Sequence, residues 1–360
     1  MRKIIHKAFL AVNILFASAL LISYLAVNIN PEDFALPAFF GLAYPYLLLI
    51  NIIIVVIWAV NLKLEAFISI LVIAVGFTHL SNYIKFRKPA IDREGTFMVM
   101  SYNLRLFNYF ENQKNTNTEK KVLSYINAQQ PDIAGLQELF INGNATIKDE
   151  EFKKALGGKY YSHIKLIGSG RNKYYGIATY TRFPIVNKGE IIHPGSSSMS
   201  IYTDILIQND TFRIFNNHLQ SFRLKRMERS FVQELIDSEE KQTMKEIRSL
   251  SASLKNGFVL RALQSQVVKD YINKSPYPVI VIGDFNDTPV SYSYRKIRKG
   301  LNDSFVKAGY GAGFTYRGNY PPNRIDYILY DSRLVCTNFE IAKVKYSDHY
   351  PIIAYLKKSY

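Results

Sequence analysis

Several short segments of this 360-residue chain place a carboxylate, an amide or an imidazole directly after an apolar run. Met100-Ser101-Tyr102-Asn103 ends on an amide, and Ala134-Gly135-Leu136-Gln137-Glu138 on a carboxylate. Phe215-Asn216-Asn217-His218 ends on an imidazole, and the run from Val279 to Thr288 delivers Asp284 and Asn286 past a glycine. Ile325-Asp326-Tyr327 and Ser347-Asp348-His349 add acids and a second histidine near the C-terminus. Carboxylate and amide oxygens suit a hard cation, Mg²⁺ or Mn²⁺, better than Zn²⁺. A hard cation beside imidazoles is equipment for attacking a phosphate ester with water: the metal offsets phosphoryl charge while an acid/base pair moves protons. Each spot alone is weak, since a strand-end acid is usually a cap or a surface ion pair. His163 and His193 read as bystanders. Asp326, inside an apolar strand, needs a partner because a buried carboxylate is costly without one; His349 is the candidate.

The elements that must carry these residues are short β-rich runs interleaved with helices. Strands are expected at Thr96–Tyr102, Asp132–Leu136, Tyr175–Thr179, Ile201–Ile207, Thr211–Asn216, Val279–Ile282, Arg324–Leu329 and Ile352–Leu356, each an apolar or alternating run bounded by Gly, Pro, Asn or Asp. Three- and four-residue spacing predicts helices over Thr118–Gln129 and Leu260–Ile272. The mixed order points to an α/β sandwich of two sheets with helices outside. The charged stretch 222–256 reads as an amphipathic helical insertion, a solvated excursion or a lid. No internal repeat is visible.

Charge is unevenly spread. The chain has 45 Lys+Arg against 29 Asp+Glu, yet residues 1–90 hold only seven of the basic and three of the acidic residues. That leaves 38 basic and 26 acidic residues for 91–360, a field that attracts phosphates, nucleic acid or anionic headgroups. Ala8 to Pro31, Phe34 to Leu62 and Ala66 to Ile84 carry no charged side chain. A helix of about 20 apolar residues crosses the hydrocarbon core, so three transmembrane helices are expected, near 8–29, 39–60 and 66–84. Arg2, Lys3 and Lys7 favour an inner N-terminus, which after three crossings puts residues 91–360 on the extracytoplasmic side. Lys85, Arg87, Lys88 and Arg93 pull the other way. The 48% hydrophobic content excludes a disordered chain. The lone Cys336 excludes an intramolecular disulfide framework and a Cys-cluster metal site.

In this order and at these separations, SYNLR, LQE, NNHL, GDFND, RIDYIL and SDHYPI resemble the endonuclease/exonuclease/phosphatase family, the deoxyribonuclease I-like superfamily of divalent-metal phosphoesterases. The resemblance covers about residues 95–358. It implies a four-layered α/β sandwich, with Asn103 and Glu138 at the Mg²⁺ (or Mn²⁺) and Asp348 near the metal or its waters. It further implies Asp284 as the group that orients or deprotonates water and Asn286 as a holder of a phosphate oxygen. His349, oriented by Asp326, would face the scissile phosphate, with His218 as a second imidazole. Arg105 departs from the acidic residue that DNA-repair relatives tend to place there, which counts against an abasic-site enzyme. Arg324 and Arg261 are candidates for binding substrate phosphate or for structural ion pairs. The expectation is a membrane-anchored, metal-dependent phosphoesterase acting on nucleic acid, a phospholipid headgroup or a small phosphorylated molecule, in contact with membrane lipid and without an obligate protein partner. A non-specific nuclease and an inactive phosphate-binding module of the same fold are the alternatives; the apolar runs, lacking interior acids or bases, read as an anchor rather than a transporter.

Overall fold

A computed structural model describes residues 2–109, 117–168, 170, 172–196, 198–222, 244–318 and 321–359. The chain divides into two compact units, residues 84–221, 264–286 and 297–360 forming the larger. In chain order its strands are β1 (Ile84–Lys85), β2 (Phe97–Asn103), β3 (Ile133–Asn142), β4 (Tyr161–Gly168), β5 (Lys173–Thr181), β6 (Ile185–Ile191) and β7 (Met199–Ile207). They continue as β8 (Asp210–His218), β9 (Val279–Asp284), β10 (Asn302–Asp303), β11 (Gly311–Ala312), β12 (Asp326–Tyr330), β13 (Leu334–Ile341) and β14 (Ile352–Lys358). Two six-stranded sheets result, ordered β10-β12-β9-β8-β7-β6 and β13-β14-β2-β3-β5-β4. Each contains one parallel pair, β8 with β9 and β2 with β3. All eight expected strands are present; seven shift by no more than two residues at either end, and β3 runs six residues past the expected Leu136, to Asn142.

Alternation along the strands separates two apolar layers. Val99, Ile133, Ile214, Ile280, Ile282, Ile328, Ile352 and Ala354 meet between the sheets. Met100, Tyr102, Ala134 and Leu136 point the opposite way, onto Val122, Leu123 and Ile126 of the helix Asn117–Gln129 and Phe152 of the helix Ala145–Ala155. Every residue of β9 is buried, which is why VIVIGD is a continuous apolar run rather than an alternating one. Over the other sheet, Val268 and Ile272 of the helix Met244–Asn273 are buried and its Tyr271 packs on Tyr202. The order is helix, sheet, sheet, helix. Each fully buried Ile or Phe in these layers stabilises the fold by about 1.5–3 kcal/mol.

The charged segment 222–256 is described at Phe222 and from Met244 onward. From Met244 it forms one continuous 30-residue helix with the stretch expected at Leu260–Ile272; residues 223–243 lie outside the described part.

The smaller unit holds residues 1–83, 222–263 and 287–296. Its helices are α1 (Arg2–Leu25), α2 (Leu36–Leu42), α3 (Tyr44–Val60), α4 (Ala66–Val75) and α5 (Phe77–Leu80). Among the described residues, α1 is the one helix long and apolar enough to cross a membrane by itself. The three-span expectation is therefore corrected. The second apolar run is two helices bent by 68°; Pro45, in the first turn of α3, has no N–H to continue the preceding ladder, so the helix restarts there. The third run breaks at Gly76, where a Cβ would lie 2.1 Å from the Tyr24 ring. At 10 residues, α4 is about 15 Å long, half the hydrocarbon thickness.

The helical unit inverts the usual polarity of a soluble core. Asn13, Asn51 and Ser69 are fully buried, while Leu15, Leu49, Phe67 and Leu71 are each more than half exposed. Ser69 Oγ lies 2.6 Å from Asn13 Oδ1 and 2.8 Å from Asn51 Oδ1. Asn13 donates to the carbonyl of Glu65, and Asn51 to those of Phe16 and Leu47.

Candidate active site

The polar residues singled out in the sequence converge at one end of the two sheets. Asn103 closes β2, His218 closes β8, Asp284 closes β9 and Asp326 opens β12. The register sets Asp284 opposite both His218 and Asp326. Glu138 reaches the same end by a different route. The β3–β5 pairing slips between Leu136 and Leu139, and Glu138 adopts φ 49°, so a bulge swings its carboxylate out of the pleat. Gly283 is required beneath Asp284: at φ 133° any Cβ would sit 1.9 Å from the carbonyl oxygen of Asn217.

Short contacts tie the groups together. Asn103 Nδ2 donates to Asp284 Oδ2 at 2.9 Å, which fixes the amide so that its oxygen accepts from the Arg105 N–H at 3.0 Å. Both oxygens of Asp326 lie on His349 Nδ1, at 3.0 and 3.1 Å. His349 Nε2 is 3.8 Å from Asp284 Oδ2. His218 Nε2 is 3.4 Å from Glu138 Oε1 and 3.9 Å from Asp284 Oδ2, distances too long for good hydrogen bonds, so this buried nitrogen is aimed into the site without a close acceptor. Ser347 Oγ donates to the carbonyl of Asn103 and accepts from the His349 N–H, joining β2 to the histidine loop.

Burial and mutual charge determine the protonation states. Burial alone would neutralise His349, but the Asp326 and Asp284 carboxylates outweigh it and raise its pKa to about 10. Asp284 moves up to about 6, chiefly because it is buried and beside Asp326, with His349 opposing. For Glu138, burial is overcome by the His218 imidazole, which holds the carboxyl below its usual range. His218 is raised in turn: burial opposes charge, and Glu138 and Asp284 prevail. At neutral pH the site thus pairs a charged imidazole with an acid able to take up a proton.

The donor set fits a hard cation. Glu138, half-buried and ionised, and the Asn103 amide oxygen are oxygen ligands of the kind Mg²⁺ and Mn²⁺ accept. Asp284, Asp326 and His349 also lie close enough together to hold a metal by distance alone. Asp326 spends both oxygens on His349 Nδ1, however, so this trio reads better as a hydrogen-bonded acid–imidazole relay. Asp348 is partly exposed and faces Arg105, with Oδ2 3.3 Å from Nε, while its Oδ1 is 4.0 Å from His349 Nε2. Asn286 sits at φ 52°, where its N–H donates to Asp284 and its side-chain amide to the carbonyl of Leu219.

Two arginines depart from the substrate-binding expectation. Arg324 is 1% exposed, bidentate to Asp303 at 2.5 and 2.6 Å, and flanked by the Phe305 and Tyr327 rings. Arg261 is fully buried, bonded to Asp287 and stacked on Phe222. Both guanidiniums are structural. Tyr316 borders the site, its ring edge-on to His349 at 5.2 Å.

Sequence reasoning missed the polar layer under these groups. Ser101 and Gln137 contact each other, Gln137 donates to Asn216 at 2.7 Å, and Asn216 donates to the carbonyl of Ala178. These buried side chains connect the two sheets directly beneath Asn103 and Asp284. The polar letters beside the motif residues in LQE and NNHL were the available signal. Also missed was the backbone after Asn103: Arg105, Leu106, Phe107 and Asn108 all have φ between 48° and 56°. Left-handed conformation costs about 1–2 kcal/mol per non-glycine residue, so four in succession persist only because packing enforces them.

The model of the endonuclease/exonuclease/phosphatase family matches residues 100–349. A second, described as a domain of unknown function (DUF8431), matches residues 6–83. No curated protein matches the chain in sequence. Among solved structures, an endonuclease/exonuclease/phosphatase family protein from Bacteroides thetaiotaomicron aligns with a TM-score of 0.54 and 18% identity, over 76% of this chain and all of that one. The human Nocturnin catalytic domain with bound sulfate gives 0.54 and 18%, over 76% and 97%. A mannosyl-6-phosphatase from Bacteroides thetaiotaomicron gives 0.51 and 20%, over 72% and 99%. Likeness at these identities is a likeness of fold.

Proposed function

Because the chain belongs to the endonuclease/exonuclease/phosphatase family, whose members are hydrolases acting on phosphoester bonds, we propose that it hydrolyses a phosphate ester by metal-assisted attack of water. The observation that carries this reading is the convergence of Asn103, Glu138, His218, Asp284, Asp326 and His349 through contacts of 2.9–3.9 Å. Glu138 and Asn103 would hold the cation, which when bound offsets phosphoryl charge. Asp284, with a pKa near 6, accepts the proton of the attacking water. His349, charged and aimed by Asp326, donates to a phosphoryl oxygen, and His218 supplies a second imidazole on the Glu138 side. Asn286 holds a phosphate oxygen. A binding module has no need of a charged histidine backed by a buried carboxylate, so the catalytic reading is preferred over the inactive one.

The test is turnover by the full chain with Mg²⁺ or Mn²⁺ on plasmid DNA, RNA, sphingomyelin, bis-p-nitrophenyl phosphate and p-nitrophenyl phosphate. Glu138→Ala and His349→Ala should each lose about two orders of magnitude or more, as removal of a metal ligand or an acid/base group does. No turnover with any ester and metal would leave the binding-module reading in its place.

The apolar outer surface of residues 1–83 is read as lipid-facing, with α1 as the crossing element. One crossing from an inner N-terminus puts the larger unit on the extracytoplasmic side. Resistance to alkaline extraction, together with protease accessibility of the larger unit on intact cells, is the expected result. A protected larger unit would mean that the bent pair α2–α3 crosses as well, which returns Lys85, Arg87 and Lys88 to the inside.

A further inference from the structure

The helix α1 carries a polar, aromatic level near each end. By its start, His6 Nε2 lies 2.8 Å from Glu65 Oε1, and the imidazole meets the Trp58 ring edge-on. By its end, Tyr24 stacks on His79 with centroids 5.0 Å apart, and Tyr44 stacks on Tyr83 at 5.4 Å. At about 1.5 Å per residue, His6 and Tyr24 are about 27 Å apart along α1, close to the hydrocarbon thickness of about 30 Å. Trp and Tyr are the rings that sit at the two membrane–water interfaces. A segment distant in the chain is seated at the tyrosine level. Residues 287–296 belong to the helical unit, and their backbone meets α2 at Gly41, where a Cβ would lie 2.3 Å from the Val290 carbonyl oxygen and 2.7 Å from the Cβ of Ala26, the residue after α1. Thr288 Oγ1 donates to the Gly41 carbonyl at 3.4 Å. The short helix Tyr292–Arg298 follows, and its Arg295 is felt at His79: burial first, and then the Arg295 charge, hold that imidazole below its ordinary range. Arg295 is exposed, and among the described residues its guanidinium has no hydrogen-bond or ion-pair partner. Asp287, the one acid of this segment, is taken by Arg261 and Ser293.

We infer that Arg295 is a lipid-headgroup site, its guanidinium binding the phosphate of an anionic phospholipid in the leaflet where α1 ends. The inference rests on the lipid-facing reading of residues 1–83 and adds a ligand to it. A headgroup phosphodiester presents two terminal oxygens, which a guanidinium fork engages together. At the depth of the tyrosine rings such a cation also gains from the negative surface potential of anionic lipids. Phosphatidylcholine carries its own ammonium beside the phosphate and is the weaker ligand; phosphatidylglycerol carries none. Lys296 is a different kind of cation. Consecutive residues of a helix lie about 100° apart around its axis, and the Lys296 ammonium sits over the Tyr292 ring at 6.0 Å. It therefore serves as the control that separates one built site from a diffuse basic surface.

The test uses the full chain in a non-ionic detergent, melted with increasing amounts of dioctanoyl phosphatidylglycerol, dioctanoyl phosphatidylcholine or glycerol phosphate. A ligand of the folded state raises Tm with its concentration relative to Kd. Phosphatidylglycerol should stabilise the parent chain more than phosphatidylcholine does, and glycerol phosphate should not. Arg295→Gln should weaken the phosphatidylglycerol response by about 10-fold or more in affinity, the loss expected for a charge-assisted hydrogen bond. Arg295→Lys should be intermediate and Lys296→Gln close to the parent. Melts without lipid establish that the variants are folded, and Arg295→Lys carries the test if Arg295→Gln is not. Equal responses to the two lipids, an Arg295→Gln chain that responds like the parent, or a Lys296→Gln chain that loses as much as Arg295→Gln would overturn the inference. Glycerol phosphate matching phosphatidylglycerol would overturn it too, by showing a site for free phosphate. The lipid-facing reading is judged separately: a chain that resists alkaline extraction yet shows no preference for phosphatidylglycerol loses this site alone, and a chain released by alkali loses both.

Discussion

Replacing Asp326 by Asn keeps the shape of the residue beside His349 and removes its charge, so its consequences follow from electrostatics. His349 is raised from 6.5 to about 10 although it is buried, because Asp326 and Asp284 both favour the imidazolium. That shift corresponds to about 5 kcal/mol of preference for the charged form, and Asp326 is the larger contributor of the two carboxylates. Losing the larger of the two carboxylate charges lets burial pull the pKa back down toward its ordinary value. The basic limb of the kcat–pH profile, near pH 10 in the parent, should therefore move down by about two pH units in Asp326→Asn, with activity at pH 9 falling roughly 10-fold. The stability linkage has the same sign. A histidine whose folded-state pKa is raised stabilises the fold fully below pH 6.5, and this contribution fades as pH rises through about 10. Profiles of kcat on bis-p-nitrophenyl phosphate, paired with NMR titration of the His349 ring, would measure both. An unmoved basic limb alongside a displaced NMR titration would show that turnover does not depend on His349 being charged; an unmoved NMR titration would refute the electrostatic argument itself.

Other perturbations have equally definite outcomes. Arg324→Ala strands Asp303, which is fully buried and also accepts from the Val306 N–H, so chemical denaturation should report a loss of about 3–5 kcal/mol. His163 and His193 are held near pKa 4 by burial, aided by Lys188 and Lys165 respectively, and therefore stay neutral in the fold. Their contribution is complete above pH 6.5 and is lost as pH falls toward 4, on the order of 3 kcal/mol each; a His163→Gln, His193→Gln double variant should flatten thermal stability across that window. Gly283→Ala forces a methyl group against the Asn217 carbonyl in a conformation that L residues avoid. A marked fall in melting temperature and loss of turnover are expected, and a variant that melts and turns over like the parent would contradict the backbone account.

The central strands were legible because they are buried on both faces. β9 and β12 have no exposed residue, so their sequences are uninterrupted apolar runs. Of the six strands without a sequence signal, β1 and β11 form a two-stranded sheet of two residues each, and β4, β6, β10 and β13 are at the edges of the two six-stranded sheets. There, one side of the ladder is unpaired and residues such as Lys165, Lys188 and Glu340 interrupt the alternation. The helix Ala145–Ala155 was missed although Asn144 caps it by accepting from the Thr146 and Ile147 N–H groups. At the site, Asp326 and His349 were paired in advance because an acid in an apolar strand demands a partner. Arg324 could not be assigned from sequence alone, since its mate Asp303 is distant in the chain and only the register of β10 with β12 brings them together. Membrane spans were overcounted for a related reason: hydropathy measures the length of an apolar run but is blind to the 68° bend inside it.

The Ser69 hydroxyl has one hydrogen and two amide oxygens competing for it. Asn13 and Asn51 are both fully buried, so their two amide oxygens share that single hydrogen. The trio therefore contributes little net stability; its effect is to fix the rotation of α1, α3 and α4 about their own axes, because turning any one helix would strand the other two partners among aliphatic side chains. Single replacement of Ser69 by Ala would be harmful, whereas exchanging all three for apolar residues of similar volume would be tolerated, at the expense of a bundle free to slip.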